Sequence, residues 1–332
     1  MKRKIELFSN SHRVMFWALL LAGQVQAENL ESWEALAPLT VARHDLQLVA
    51  HEGMLYAISG AHDLTVTDVD AYDPAENLWT ARAPIPGKRG WFGAAGIGGH
   101  IFCAGGKFVR TESERQHGGD ARPYHYLDSL NVYDPVADRW RVGPPMRAAR
   151  AGCHAAALNR ELYMIGGSLP GAGFLDRVEI YSPEQDAWRD APPLPDKRED
   201  MGVVSIEDKL YVIGGVRHAL RADVFIFDRR EQLWTHGAPM PAPRRSFAVA
   251  AEGARVWCIG GVGQQGYLDS VEVYDTRTDR WTTGPRLPHA GAWMGAAVLD
   301  GRLYVAGGAD YDDEKKRYNW RGNVYALTLP ST

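Results

Sequence analysis

The sequence predicts an all-β fold, a closed ring of six blades with four antiparallel strands each, on three observations. Its 332 residues hold 35 Gly, 19 Pro and 11 Trp, turn formers beside large aromatics, which suits many short strands joined by tight turns. A Gly pair, an aromatic and a Trp recur at fixed spacing along the chain. The last copy stops one strand short, and the N-terminal segment can supply it. With 45% apolar and 23% charged residues the composition is that of a folded globular protein. Three cysteines are too few for a disulfide scaffold or a zinc site of four thiolates.

In chain order, the first element stands outside the ring. Lys2, Arg3, Lys4 and Arg13 precede the apolar run Val14 to Gly23, and Val25-Gln26-Ala27 follows, the layout of a secretory signal peptide cleaved after Ala27. The run is roughly half of what a membrane-spanning helix needs. We therefore expect residues 1–27 to be removed, no membrane insertion afterwards, and a periplasmic or secreted product. Removal takes away four Lys/Arg and one Glu, leaving 33 basic against 40 acidic side chains, a balance of −7 that argues against a nucleic-acid partner.

The repeat then sets the blades. Six small-Gly pairs end strand-like runs: Ser59-Gly60, Gly105-Gly106, Gly166-Gly167, Gly214-Gly215, Gly260-Gly261 and Gly307-Gly308. Four residues before the second Gly stands Tyr56, Phe102, Tyr163, Tyr211, Trp257 or Tyr304. A second aromatic column reads Tyr72, Tyr133, Tyr181, Phe227, Tyr274 and Tyr325; seven residues beyond its first five members come Trp79, Trp140, Trp188, Trp234 and Trp281. Ten residues after each Trp lies Arg89, Arg150, Arg198, Arg244 or, breaking the pattern, Gly291. A constant spacing of seven fixes one hairpin length and one register, and the constant seventeen from the Arg column to the second Gly holds two more strands and a turn.

The ends close the ring. Trp33 lies ten residues before Arg43 without an aromatic ahead of it, so residues 28–42 provide the closing strand of the last blade. Blade 1 then spans residues 43–88, blade 2 residues 89–149, blade 3 residues 150–197, blade 4 residues 198–243, blade 5 residues 244–290 and blade 6 residues 291–332. The regular positions, Gly60, Gly106, Gly167, Gly215, Gly261 and Gly308 with Trp33, Trp79, Trp140, Trp188, Trp234 and Trp281, are expected to serve packing and strand ends. The Arg column is expected to brace loops between blades.

This pattern of double glycine, aromatic before Asp, and Trp resembles the Kelch-repeat family over nearly the whole mature chain, in the manner of secreted bacterial-type propellers of the galactose oxidase and sialic acid mutarotase superfamily. The resemblance implies a six-bladed β-propeller. It leaves the activity open, because Kelch propellers serve as protein-binding modules, as a copper oxidase scaffold and as periplasmic sugar mutarotases.

Function is sought where the copies disagree. The loop leading into the innermost strand and the loop after the second strand emerge at one end of a blade. The resemblance implies that they line the mouth of the central channel. The lead-in positions read His44-Asp45, Gly90-Trp91, Ala151-Gly152, Glu199-Asp200, Arg245-Ser246 and Ala292-Trp293; positions beyond the Gly pairs include Lys107, Arg217, Asp310 and Tyr311. Trp91 and Trp293 lie outside the repeated Trp column, in blades on either side of blade 1. The two long insertions, Lys107 to Asp128 and Ala309 to Gly322, also flank blade 1. The candidate ligand-binding positions of this face are His44, Asp45, Trp91, Lys107, Glu199, Asp200, Arg217, Arg245, Trp293, Asp310 and Tyr311, with the site centred over blades 6, 1 and 2 by Trp91, Trp293 and the two insertions.

The expectation is a monomeric binding protein without bound cofactor or metal, taking a protein partner or a small polar or carbohydrate ligand. The alternatives are a sialic-acid-type sugar mutarotase, with Asp45, Glu199 or Asp200 as base beside His44 or Arg245, and an envelope interaction scaffold. The acidic run 310–314 lacks the spacing of a calcium loop and is expected to be solvated. Cys103 and Cys258 share a strand column in opposite blades, which forbids a bond between them. Cys153 and His154, adjacent on a strand, point to opposite faces.

Overall fold

Antiparallel hairpins of fixed length build each blade. The computed structural model describes residues 32–62, 64–117 and 122–330, so the expected leader, residues 1–27, lies outside the described residues. Blade 1 consists of Gln47–His51, Met54–Ile58, Val69–Asp73 and Leu78–Arg82, and its antiparallel order recurs in all six four-stranded sheets. The expected six-bladed β-propeller is the observed fold. In blade 6 the strands Gly295–Leu299, Arg302–Ala306 and Val324–Thr328 are completed by Glu34–Leu36 from the other end of the chain.

The outer hairpin keeps its register because its turn is built the same way each time. Tyr72, Tyr133, Tyr181, Phe227 and Tyr274 sit directly opposite Trp79, Trp140, Trp188, Trp234 and Trp281. The residue two before the Trp is left-handed: Asn77, Asp138, Asp186, Gln232 and Asp279 have φ between 48° and 54°. Where the column is Tyr, its hydroxyl donates to that turn residue at 2.5–2.7 Å. Phe227 has no hydroxyl to donate, and Gln232 stands in its turn.

In blade 6 the expected column is corrected. Tyr325 pairs with Ala35 and Val305, two places away from the aromatic column, and Leu327 occupies the column opposite Leu303. The interval from Gly308 is thus nineteen residues rather than seventeen. Extending the register beyond Glu34 sets Trp33 against Leu327, so Trp33 keeps its place.

Each blade Trp ties its blade to the one before. The indole N–H of Trp79, Trp140, Trp188, Trp234, Trp281 and Trp33 donates at 2.8–3.0 Å to the carbonyl of Ala37, Ala83, Pro144, Pro192, Ala238 and Pro285. Six apolar clusters hold the ring, one at each junction. That between blades 3 and 4, for example, joins Tyr163, Ile165 and Ile180 to Met201, Val212 and Phe227. Such a ring has no single core, and stability comes from neighbour contacts.

The Arg column acts mainly inside its own blade, and three members also reach back to the preceding blade's connector as expected, Arg43 to the Val41 carbonyl, Arg150 to Met146 Sδ and Arg198 to the Asp196 carbonyl. Arg43, Arg89, Arg150, Arg198 and Arg244 are almost wholly buried. Arg150, Arg198 and Arg244 donate to the first carbonyl of their own Gly pair, Gly166, Gly214 and Gly260. Each then meets one position of its own third strand: Arg43 pairs with Asp70 at 2.7 Å, Arg150 with Glu179 at 2.5 Å and Arg244 with Glu272 at 2.8 Å. Arg89 donates to Asn131, and Arg198 lies 4.2 Å from the centre of the Phe225 ring while pairing with Asp223 at 3.3 Å. Where Gly291 replaces the Arg, the matching position is Tyr325, whose hydroxyl is 3.3 Å from His289 Nδ1. Further braces between blades are made by the backbone: the second Gly N–H of one blade donates to the carbonyl of the next blade's Arg, as from Gly167 to Arg198 and from Gly215 to Arg244, both at 2.9 Å.

The loops after the Gly pairs fold further than expected. Blades 2 to 6 carry two-stranded ribbons there, including Lys107–Val109 with Tyr124–Tyr126 and Ala309–Asp312 with Arg317–Trp320. The blade 2 insertion also holds a short helix, Glu112–His117. Thr111 Oγ1 accepts from the Glu114 N–H at 3.2 Å, and Glu114 returns a carboxylate to the Thr111 N–H at 2.7 Å.

Candidate functional site

The lead-in dipeptides and the ribbons share one face because backbone bridges join them: His44 to Ala61, Gly90 to Lys107, Ala151 to Ser168, Glu199 to Val216, Arg245 to Val262 and Ala292 to Ala309. The second residue of every dipeptide is left-handed, with φ of 54° at Asp45, 54° at Trp91, 64° at Gly152, 55° at Asp200, 54° at Ser246 and 58° at Trp293. Gly and Asp take that conformation at small cost, whereas for an indole it is uncommon and costs on the order of 1 kcal/mol.

These six residues form an inner ring. The N–H of Asp45 donates to Trp293, that of Trp293 to Ser246, Ser246 to Asp200, Asp200 to Gly152 and Gly152 to Trp91, each onto the backbone carbonyl at 2.8–3.0 Å. Five of six junctions are closed in this way. At the blade 1–blade 2 junction the Trp91 N–H and the Asp45 carbonyl do not meet, and the ring stands open there. All six residues line a cavity of about 40 Å³ shared with His154 and Phe247. Such a space suits a water molecule and is too small for a sugar ring, so anything larger sits above it.

Over the ring an aromatic cluster converges on His44. Its imidazole stacks on Trp320 at 4.7 Å between ring centres with a 21° tilt, meets the edge of Trp91 at 6.0 Å and lies 5.9 Å from Trp293. Tyr318 stacks on Trp320 at 5.3 Å and approaches Trp293 at 6.2 Å, and Tyr267 closes on Trp293 at 5.9 Å. The residues come from blades 1, 2, 5 and 6. His44 Nδ1 and Asp45 Oδ2 are 2.6 Å apart, an imidazole–carboxylate dyad within this apolar surround.

Burial pushes the Asp45 carboxyl above its ordinary range, and the His44 ring opposes that rise. Glu199 is also raised, by burial first and then by the charge of Asp200. Asp200 accepts from Arg245 at 3.2 Å and from Ser246 Oγ at 3.1 Å, so its charge is balanced. Burial lowers the His154 imidazole, keeping it neutral beside the cavity.

The structure therefore gathers His44, Asp45, Trp91, Lys107, Glu199, Asp200, Arg245 and Trp293 about the mouth. The other three candidates lie on the ribbons of blades 4 and 6. Arg217 is engaged by Asp196, which also takes Arg221. Asp310 is paired with Arg321, and Tyr311 stands edge-on to Tyr318 at 5.2 Å on the exposed ribbon. In the acidic run, Asp312 accepts from the backbone of Glu314 and Lys315 and pairs with the Lys315 ammonium at 2.9 Å. Among the described residues no cluster of three or more His, Cys, Asp or Glu is arranged for a metal ion. Tyr318 is absent from the expected site, and Trp320, which the sequence leaves outside the repeat together with Trp91 and Trp293, is not among the candidate binding residues. Their signal was present, since Trp320 is outside the Trp column and the two alternate with period two within an insertion.

The blade order, the Trp ties and the divergent loop face define a six-bladed propeller of the Kelch class. The chain matches the KLHDC2/KLHL20/DRC7 Kelch-repeats domain over residues 116–308, more than half its length, and belongs to that family. It is 31% identical over 142 residues to Alpha-scruin of Limulus polyphemus, covering 42% of this chain and 14% of that protein. It is 35% identical over 124 residues to Kelch-like protein 33 of Homo sapiens, covering 37% of this chain and 21% of that protein. The F-box/kelch-repeat protein At1g67480 of Arabidopsis thaliana is 31% identical over 131 residues, 38% of this chain and 31% of that protein. The chain spans less than a third of the length of each of these relatives.

Proposed function

We propose that this propeller is a binding module that takes a polar segment of a protein partner through its loop face, over blades 6, 1 and 2. One observation carries the reading: half-buried Trp91, Trp293 and Trp320 converge on His44 on the face where the repeats diverge, two of them held at a backbone geometry unusual for indoles. Aromatic side chains of this kind supply contact area at low entropy cost, and charged groups beside them give orientation. With residues 1–27 as a cleaved leader, the module works in the periplasm or outside the cell. Substituting Trp293→Ala or Trp91→Ala is expected to weaken partner affinity by at least tenfold in calorimetric titration, and an unchanged affinity for both variants overturns the site.

A second reading is favoured by the dyad. A raised carboxyl 2.6 Å from an imidazole, under aromatic faces suited to a sugar ring, supports general acid–base catalysis of anomer interconversion. NMR exchange measurements on free sugars and sialic acids are expected, on this reading, to show acceleration that Asp45→Asn removes. No acceleration across the panel eliminates it.

A further inference from the structure

The ribbon of blade 2 holds a cation in an aromatic cage. Lys107 is paired across the ribbon with Tyr126, and Val109 with Tyr124, so the period-two alternation puts Lys107, Tyr124 and Tyr126 on one face. The backbone bridge from Gly90 to Lys107 brings Trp91 to the same place. The Lys107 ammonium then lies 4.5 Å from the centre of the Trp91 ring, 4.9 Å from that of Tyr124 and 5.8 Å from that of Tyr126. All three are within the range of favourable cation–π attraction, about 6 Å.

Three ring faces are the close partners of the Lys107 ammonium. Among the described residues its ammonium forms no ion pair within 4.0 Å. Its charge nevertheless acts on Asp45 and Glu199, the nearby carboxylates. A primary ammonium carries three N–H donors that need water or acceptors, and three ring faces offer it none. A quaternary ammonium has no such donors and loses less on entering the same space.

We infer that Trp91, Tyr124 and Tyr126 form a binding site for a quaternary alkylammonium group, occupied in the free protein by the chain's own Lys107. The site lies on the loop face, with Tyr124 40% exposed, so a ligand reaches it without unfolding the blade. The tethered lysine competes at an effective concentration on the order of millimolar, so removing it unmasks the cage.

The inference rests on the loop face being the binding face, but it is read separately from partner binding. Tetramethylammonium chloride, choline and trimethyl-lysine are titrated into the mature wild-type chain, Lys107→Ala and the double variant Lys107→Ala/Tyr124→Ala, following tryptophan fluorescence. Thermal unfolding verifies that each variant is folded. Lys107→Ala is expected to bind tetramethylammonium at least tenfold more tightly than wild type, and the double variant to lose that gain. The ranking of choline against trimethyl-lysine separates a lipid-type headgroup from a modified side chain as the source. Equal affinity in wild type and Lys107→Ala, or a gain that survives Tyr124→Ala, overturns the cage. Such a result leaves the Trp293-dependent partner reading standing, and loss of the partner reading leaves this titration unaffected.

Discussion

Asp45 sits where burial and a neighbouring base pull in opposite directions, and burial prevails. Its folded carboxyl titrates above the ordinary 3.8, so its protonated form is the one the fold favours. The stabilising contribution is complete below that ordinary value and is lost as pH rises through the folded value. Asp45→Asn removes this loss, so its thermal stability relative to wild type is expected to grow between pH about 4 and pH 7. A difference that stays flat or shrinks over that range contradicts the assignment. At the opposite extreme, Arg150 and Glu179 have side chains with no exposure and are 2.5 Å apart. Arg150→Ala leaves the buried Glu179 with only the Arg147 N–H at 3.0 Å and Arg177 at 3.7 Å, and is expected to cost about 3 kcal/mol in chemical denaturation, far above a surface substitution. At this scale the sequence shows the Arg column plainly and hides its partners. Asp70, Asn131, Glu179, Phe225, Glu272 and Tyr325 share one position, two residues before the aromatic column, but only three of them are carboxylates, so the column shows no single residue type to read as the partner.

Among the elements, the hairpins were legible and the ribbons were not. An invariant seven residues from aromatic to Trp leaves one possible register. Strands of two to four residues beyond the Gly pairs are too short to show a period. The Thr111 to Glu114 capping signal was readable but heads a helix of six residues in an insertion. Tyr325 was misread because a tyrosine happens to stand two residues before the true column, and only the pairing with Ala35 and Val305 reveals the shift. The inner ring has a consequence at this scale. The amides of Asp45, Gly152, Asp200, Ser246 and Trp293 are each bonded to the preceding blade, while that of Trp91 is not. Hydrogen exchange followed by NMR is expected to find Trp91 exchanging at least tenfold faster than the other five. Equal protection at all six means the ring is closed in solution.

For the whole molecule, six junction clusters and six Trp ties make a rigid disc whose regular positions are spent on packing. Chemistry is left to the face where the copies differ. The sequence pointed to one side of that face through Trp91, Trp293 and the two long insertions. It could not supply the convergence on His44, which depends on how the blade 6 ribbon folds back to stack Trp320 on the imidazole. The most direct measurement of whether binding resides there is site-specific photo-crosslinking of the mature chain in extracts of its host cell. A photoreactive residue is placed at Tyr318 on the blade 6 ribbon or at Val136, 87% exposed in the outer-hairpin turn of blade 2. A discrete adduct is expected from position 318, abolished by Trp293→Ala, and none from position 136. Adducts from position 136 alone, or from position 318 with no dependence on Trp293, would contradict binding at that face.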